Sequence, residues 1–101
     1  MLLGTRKYAT NDVRVIRVNY CDWLFPGYVL GAVTANITPT AGVASTVGPI
    51  KLDPSEKVAF IQLNCGPTVN EAFTLNVIAT DTFGQTINDL LNVTIIAPGA
   101  A

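Results

Sequence analysis

The stretch Phe73-Thr74-Leu75-Asn76-Val77-Ile78-Ala79-Thr80 constrains this chain more than any other part of it. Phe73, Leu75, Val77 and Ala79 recur at every second residue, and Thr74, Asn76 and Thr80 fall on the other parity. Period two sends the two sets to opposite faces of a pleated strand, so the segment reads as a strand with one buried face. A helix would scatter the same apolar residues around its axis.

The rest of the chain follows that lead. Thr86 to Ile96 carries Ile87, Leu91, Val93 and Ile95 in phase, and Asp81 to Gln85, with Gly84, joins it to the preceding strand as a hairpin loop. Lys57 to Asn64 is a strand with Ala59, Ile61 and Leu63 on one face and Val58 and Phe60 on the other. Tyr28 to Thr38 is another, with Val29, Gly31, Val33, Ala35 and Ile37 aligned, and Pro39 ends it. The first strand runs from Val13 to Tyr20. Its apolar positions change phase between Val15 and Ile16, which predicts a β-bulge there. Weak, short pairing is expected around Val43 to Val47 and again at Ile50 to Leu52, before the Asp53-Pro54-Ser55-Glu56 turn.

Gly, Pro and Asp turns therefore separate about six to seven short strands, with no helical periodicity of useful length. The chain reads as all-β, an antiparallel β-sandwich of immunoglobulin type, with a small barrel as the other arrangement. Its 101 residues suit one domain. Residues 1–12 are polar and unpatterned and read as a flexible N-terminal arm, residues 13–96 as the sandwich, and residues 97–101 as a C-terminal tail.

Composition narrows the function. Charged residues make up 13 % of the chain, against roughly 25 % in an ordinary soluble domain. Either a partner covers part of the surface, or the outer faces carry Thr and Asn in place of charge. The net charge is −1 and the basic residues are scattered, with only Arg6-Lys7 adjacent. That excludes the basic stripe on which nucleic acid binding rests. No apolar run reaches the roughly 18 residues that span a bilayer. Met1-Leu2-Leu3-Gly4 is too short for the core of a signal peptide, so synthesis in the cytoplasm is expected.

Histidine is absent. That removes His-based acid–base chemistry, Ser-His-Asp triads, Cys-His dyads and the usual catalytic zinc sites. Asp81-Thr82-Phe83-Gly84 invites comparison with the Asp-Thr-Gly turn of aspartic proteases, but Phe83 splits the motif, and a hairpin turn accounts for Asp81 and Gly84. Asp12, Asp22, Asp53 and Glu56 are too dispersed for calcium. No phosphate-cradling glycine loop is present. The chain is expected to be no enzyme and to need no metal or cofactor. Asn36-Ile37-Thr38 and Asn92-Val93-Thr94 match the glycosylation triplet but fall inside strands. Cys21 and Cys65 read as reduced thiols, with an inter-sheet bridge as the other reading.

Aromatic residues remain. Trp23, Phe25 and Tyr28 surround the Pro26-Gly27 turn, and Phe83 stands at a hairpin tip. Aromatics on loops are candidate anchors for a protein partner. The competing role is core filling for Trp23, Phe25 and Tyr28, and closure of the sandwich end for Phe83.

Three segments taken together carry a family likeness. They are Val15-Ile16-Arg17-Val18-Asn19-Tyr20-Cys21-Asp22-Trp23-Leu24, a Gly-led strand from Gly27, and the hairpin Thr80-Asp81-Thr82-Phe83-Gly84-Gln85-Thr86. Over residues 13 to 96 the chain resembles the small immunoglobulin-like proteins of tailed-phage virions, the fibre–tail adaptors or head–tail accessory proteins. It departs from them at Tyr28-Val29-Leu30, where Asp-Thr-Ile would be usual, and in having Cys21. The resemblance implies a virion structural protein without catalysis, present in many copies. It also implies docking onto tail, capsid or fibre subunits. Capsid decoration, or a secreted immunoglobulin-like module that binds protein or carbohydrate, are the other roles open to such a sandwich.

Overall fold

The computed structural model describes residues 2–39 and 42–98. Residues 99–101 of the expected C-terminal tail lie outside the described residues, as do Met1, Thr40 and Ala41. Strands follow one another as β1 (Leu2–Ala9), β2 (Val13–Asn19), β3 (Leu30–Thr38), β4 (Thr46–Leu52), β5 (Val58–Asn64), β6 (Ala72–Asp81) and β7 (Thr86–Ile96). They form a four-stranded sheet, β1-β7-β6-β3, and a three-stranded sheet, β2-β5-β4. The sheets pack face to face as an immunoglobulin-like β-sandwich. All pairings are antiparallel except that of β1 with β7, which is parallel.

The core lies where the period-two pattern is strictest. Ala59, Ile61 and Leu63 of β5 face Leu75, Val77 and Ala79 of β6 and Ile95 of β7, and all seven are 0 % exposed. Each such Leu, Ile or Val contributes about 1.5–3 kcal/mol by leaving water. The outward positions of β3, β6 and β7 carry Thr and Asn beside Ile78 and Leu90, and several of the Thr and Asn side chains bond across strands. The Thr74 hydroxyl donates to Asn92 Oδ1 at 3.0 Å, and Asn76 Nδ2 donates to Asn36 Oδ1 at 3.1 Å and to Thr38 Oγ1 at 2.7 Å. Low charge content thus has a structural counterpart on this face. Both glycosylation triplets lie in this ladder.

Four expectations need correction. Residues 2–9 are not an arm but strand β1, held on β7 with Arg6 opposite Val93 and Tyr8 opposite Ile95. Strand β2 carries no bulge, because its register against β5 is unbroken from Val13↔Asn64 to Asn19↔Val58. Its apolar residues change phase because Val13 and Val15 point outward, exposed by 63 % and 62 %. In place of two weak segments at Val43–Val47 and Ile50–Leu52 there is one strand, β4, which begins at Thr46 and is interrupted by a register shift between Val47 and Ile50. Pro49 is tolerated there because β4 is a sheet edge.

Strand β3 starts two residues later than expected and carries a register shift between Leu30 and Ala32. Gly31 sits in that shift, where a Cβ would come within 3.2 Å of the Asp81 carbonyl oxygen. The shift turns Leu30 inward, 1 % exposed, beside the face formed by Val33, Ala35 and Ile37.

Candidate docking site at one end of the sandwich

Three connections meet at the same end: the β2–β3 loop, the β4–β5 turn and the β6–β7 turn. Backbone bonds join them. The N–H of Thr82 donates to Val29 O at 3.1 Å, that of Leu30 to Glu56 O at 2.9 Å, and that of Tyr20 to Lys57 O at 2.9 Å.

The sequence dictates each connection locally. Phe25-Pro26-Gly27-Tyr28 forms a type II-like turn, closed by the Tyr28 N–H on Phe25 O at 2.9 Å. Pro26 suits its first central position, and the second needs the positive φ of 84° that Gly27 supplies. The β6–β7 turn is built around Asp81. Its Oδ1 accepts the N–H groups of Phe83 and Gln85, both at 2.9 Å, and the Asp81 N–H closes on Gln85 O at 2.9 Å. Asp81 is 3 % exposed. In the β4–β5 turn, Asp53 accepts the Ser55 hydroxyl at 2.7 Å and the N–H groups of Lys57 and Val58 at 3.1 and 3.2 Å. The Ser55 bond first, and these backbone bonds after it, hold the Asp53 carboxyl below its ordinary value.

Fixing these turns brings Phe25, Tyr28 and Phe83 together. Tyr28 and Phe83 stack with ring centroids 4.2 Å apart and planes 19° from parallel. Phe25 meets Tyr28 edge-on, at 5.6 Å and 89°. Phe25 and Phe83 remain 57 % and 69 % exposed. Trp23 does not join them. It packs against the core, partly buried, with its ring edge-on to Tyr20 at 6.0 Å.

Cys21 and Cys65 are free thiols, one exposed and one buried. Each follows one of two antiparallel neighbours, β2 and β5, so they stand at opposite ends of the three-stranded sheet. That geometry removes the inter-sheet bridge. Burial raises the Cys65 thiol pKa above its ordinary value. Among the described residues, no group of three or more Cys, Asp or Glu gathers where a metal could sit.

Sequence reasoning passed over three features. At the far end, Glu71 accepts the N–H of Ala44 at 3.0 Å, the N–H of Ser45 at 3.2 Å and the Ser45 hydroxyl at 2.8 Å. The Gly66 N–H donates to Ser45 Oγ at 3.0 Å, so one buried carboxylate ties two connections together. Second, Tyr20 reaches the interior next to Asp89, both nearly fully buried. Asp89 stands in phase with Ile87 and Leu91, so an interior carboxylate was legible in the β7 pattern. Third, a groove of about 240 Å³ runs between β1 and β2, floored by Leu3, Ile16 and Leu91 and rimmed by Arg6 and Arg17.

The chain matches no model of a known protein family and no curated protein.

Proposed function

We propose that this chain is a non-enzymatic structural protein of a tailed-phage virion, a fibre–tail adaptor that docks on a tail or capsid protein through Phe25, Tyr28 and Phe83. The observation that carries docking is the exposed aromatic cluster itself. Large rigid rings gathered at a loop end are the kind of anchor that dominates protein interfaces, because they bury much area at little entropy cost. Two turns fix these rings in place before any partner arrives, which lowers the ordering cost of binding. The virion assignment rests on the likeness carried by the segments from Val15 to Leu24 and from Thr80 to Thr86. In this reading the protein is present in several copies, and its opposite end remains available to a fibre.

The Thr and Asn ladder on the four-stranded sheet favours a second reading, a module that binds protein or carbohydrate through that face. Its hydroxyl and amide groups both donate and accept hydrogen bonds.

Mass spectrometry of gradient-purified particles from the phage that encodes the chain tests the first reading. The protein is expected in the particles at several copies each. Particles lacking it would overturn the virion assignment. Particles that incorporate Phe83→Ser as well as the unaltered chain would overturn docking through the aromatic end.

A further inference from the structure

Four strands form sheet edges, and three of them carry features that oppose pairing with another strand. Strand β1 presents Arg6 and Lys7, β2 presents Arg14 and Arg17, and β4 contains Pro49 and Lys51. Charges and proline are the devices that keep sheet edges from pairing. Strand β3 has neither. Its sequence, Leu-Gly-Ala-Val-Thr-Ala-Asn-Ile-Thr, is uncharged and free of proline over nine residues. Its first residue is bonded from the edge side, by the Leu30 N–H to Glu56 O, and β4 of the other sheet approaches the strand without a backbone bond among the described residues. Among the described residues, the backbone of 31–38 bonds to β6 and to no other strand. Val33 and Ala35 pack on the core from this edge but stay only half-buried.

We propose that β3 is a self-association edge, and that two copies of this chain pair antiparallel through it about a two-fold axis. Two-fold antiparallel pairing sets each strand against its own sequence, so any charge on the strand would meet itself or a near neighbour of the same sign. Strand β3 is the edge that passes this requirement without conflict. When the middle of the strand lies on the axis, Thr34 faces the Thr34 of the second copy. Val33 then faces the second copy's Ala35 on the inner side, and Ala32 faces its Asn36 on the outer side. The half-buried apolar pair is covered, and the open backbone groups are satisfied. The four-stranded sheet becomes a continuous sheet of eight strands, with the Thr and Asn ladder running across it. This surface is separate from the aromatic end, so the two proposals stand or fall independently.

Sedimentation equilibrium of the purified chain, up to millimolar concentration, tests the edge. A reversible dimer is expected. Thr34→Lys and Thr34→Glu each weaken it by about tenfold or more, because like charges then face one another across the axis. Mixing the two variants restores association as a heterodimer. The same charge placed on the other sheet by Thr46→Lys leaves the dimer constant unchanged. Circular dichroism confirms that each variant folds, and the restored heterodimer would itself show that both do. A chain that stays monomeric at the highest concentration would overturn the proposal. So would a dimer indifferent to both Thr34 variants, or a mixture that associates no better than either variant alone.

Discussion

Tyr28 and Phe83 lie face to face, 4.2 Å between ring centroids, although they belong to different loops. The contact welds the β2–β3 loop to the β6–β7 turn and leaves the outer face of Phe83 in water. The ring therefore has little to do with the core. Phe83→Ser is expected to change unfolding free energy by no more than about 1.5 kcal/mol, the range for an aromatic pair. Docking, by contrast, should weaken by about 2 kcal/mol or more, the threshold for an interface anchor. Urea denaturation and a particle-binding titration, run on the same variant, separate the two quantities.

Asp81 holds the turn that presents Phe83. Its Oδ1 serves two backbone N–H groups from inside a nearly closed site. Asp81→Ala leaves those donors without their acceptor and is expected to cost about 1.5–3 kcal/mol. Asp81→Asn keeps a carbonyl oxygen at the same place and should cost less than half as much. Equal losses in the two variants, measured by urea denaturation, would show that the carboxylate charge matters more than the turn bonds.

Glu71 makes stability depend on acid. Burial raises its pKa, but the bonds from the Ala44 N–H, the Ser45 hydroxyl and the Ser45 N–H outweigh burial and leave the carboxyl below its ordinary value. A carboxylate with a lowered folded-state pKa contributes stability above its unfolded pKa, about 4.3 for Glu. That contribution is lost as pH falls through the folded-state value. Urea midpoints are therefore expected to drop on going below about pH 4. Glu71→Gln should lower the midpoint at neutral pH and flatten the acid dependence. A variant whose acid limb keeps the full slope would assign that limb to other carboxylates.

Legibility in the sequence followed local pattern and failed where long-range pairing decided. Thr86–Ile96 reads straight off its alternation, and the hairpin at Asp81 reads off its Asp and Gly, because both are set by neighbouring residues. Strand β1 could not be read that way. Leu2–Ala9 places charges on both parities at Arg6 and Lys7, and both side chains are exposed on this edge strand. Its existence depends on β7, which lies at the far end of the chain. Outward Val13 and Val15 disguised a regular β2 as a bulged one. Of the aromatic residues, Phe25, Tyr28 and Phe83 were recognisable by their turn setting, but their convergence was not. It requires the β2–β3 and β6–β7 connections to emerge at one end, which only the sheet order fixes. Trp23 shares that turn setting, yet its place is set by Tyr20 and the core beneath it.

Tyr20 supplies the matching dependence at high pH. Burial first, and the adjacent Asp89 carboxylate second, push its phenol well above the ordinary tyrosine value. The folded state therefore keeps the Tyr20 proton after an unfolded tyrosine, with pKa about 10, has released it. A raised folded-state pKa contributes stability that is complete below the unfolded value and is lost as pH rises from there toward the folded one. One such group imposes a slope of at most about 1.4 kcal/mol per pH unit. Tyr8 adds to it, because burial raises its phenol too. Tyr20→Phe removes one of the two titrations. The alkaline loss of stability should be shallower in that variant than in the unaltered chain, and shallower again in Tyr8→Phe/Tyr20→Phe. Guanidinium denaturation between pH 8 and pH 11 reads the slopes directly, a window set by the tyrosine value of about 10. If Tyr20→Phe left the alkaline slope unchanged, the buried Tyr20–Asp89 neighbourhood would not be what limits the fold in base.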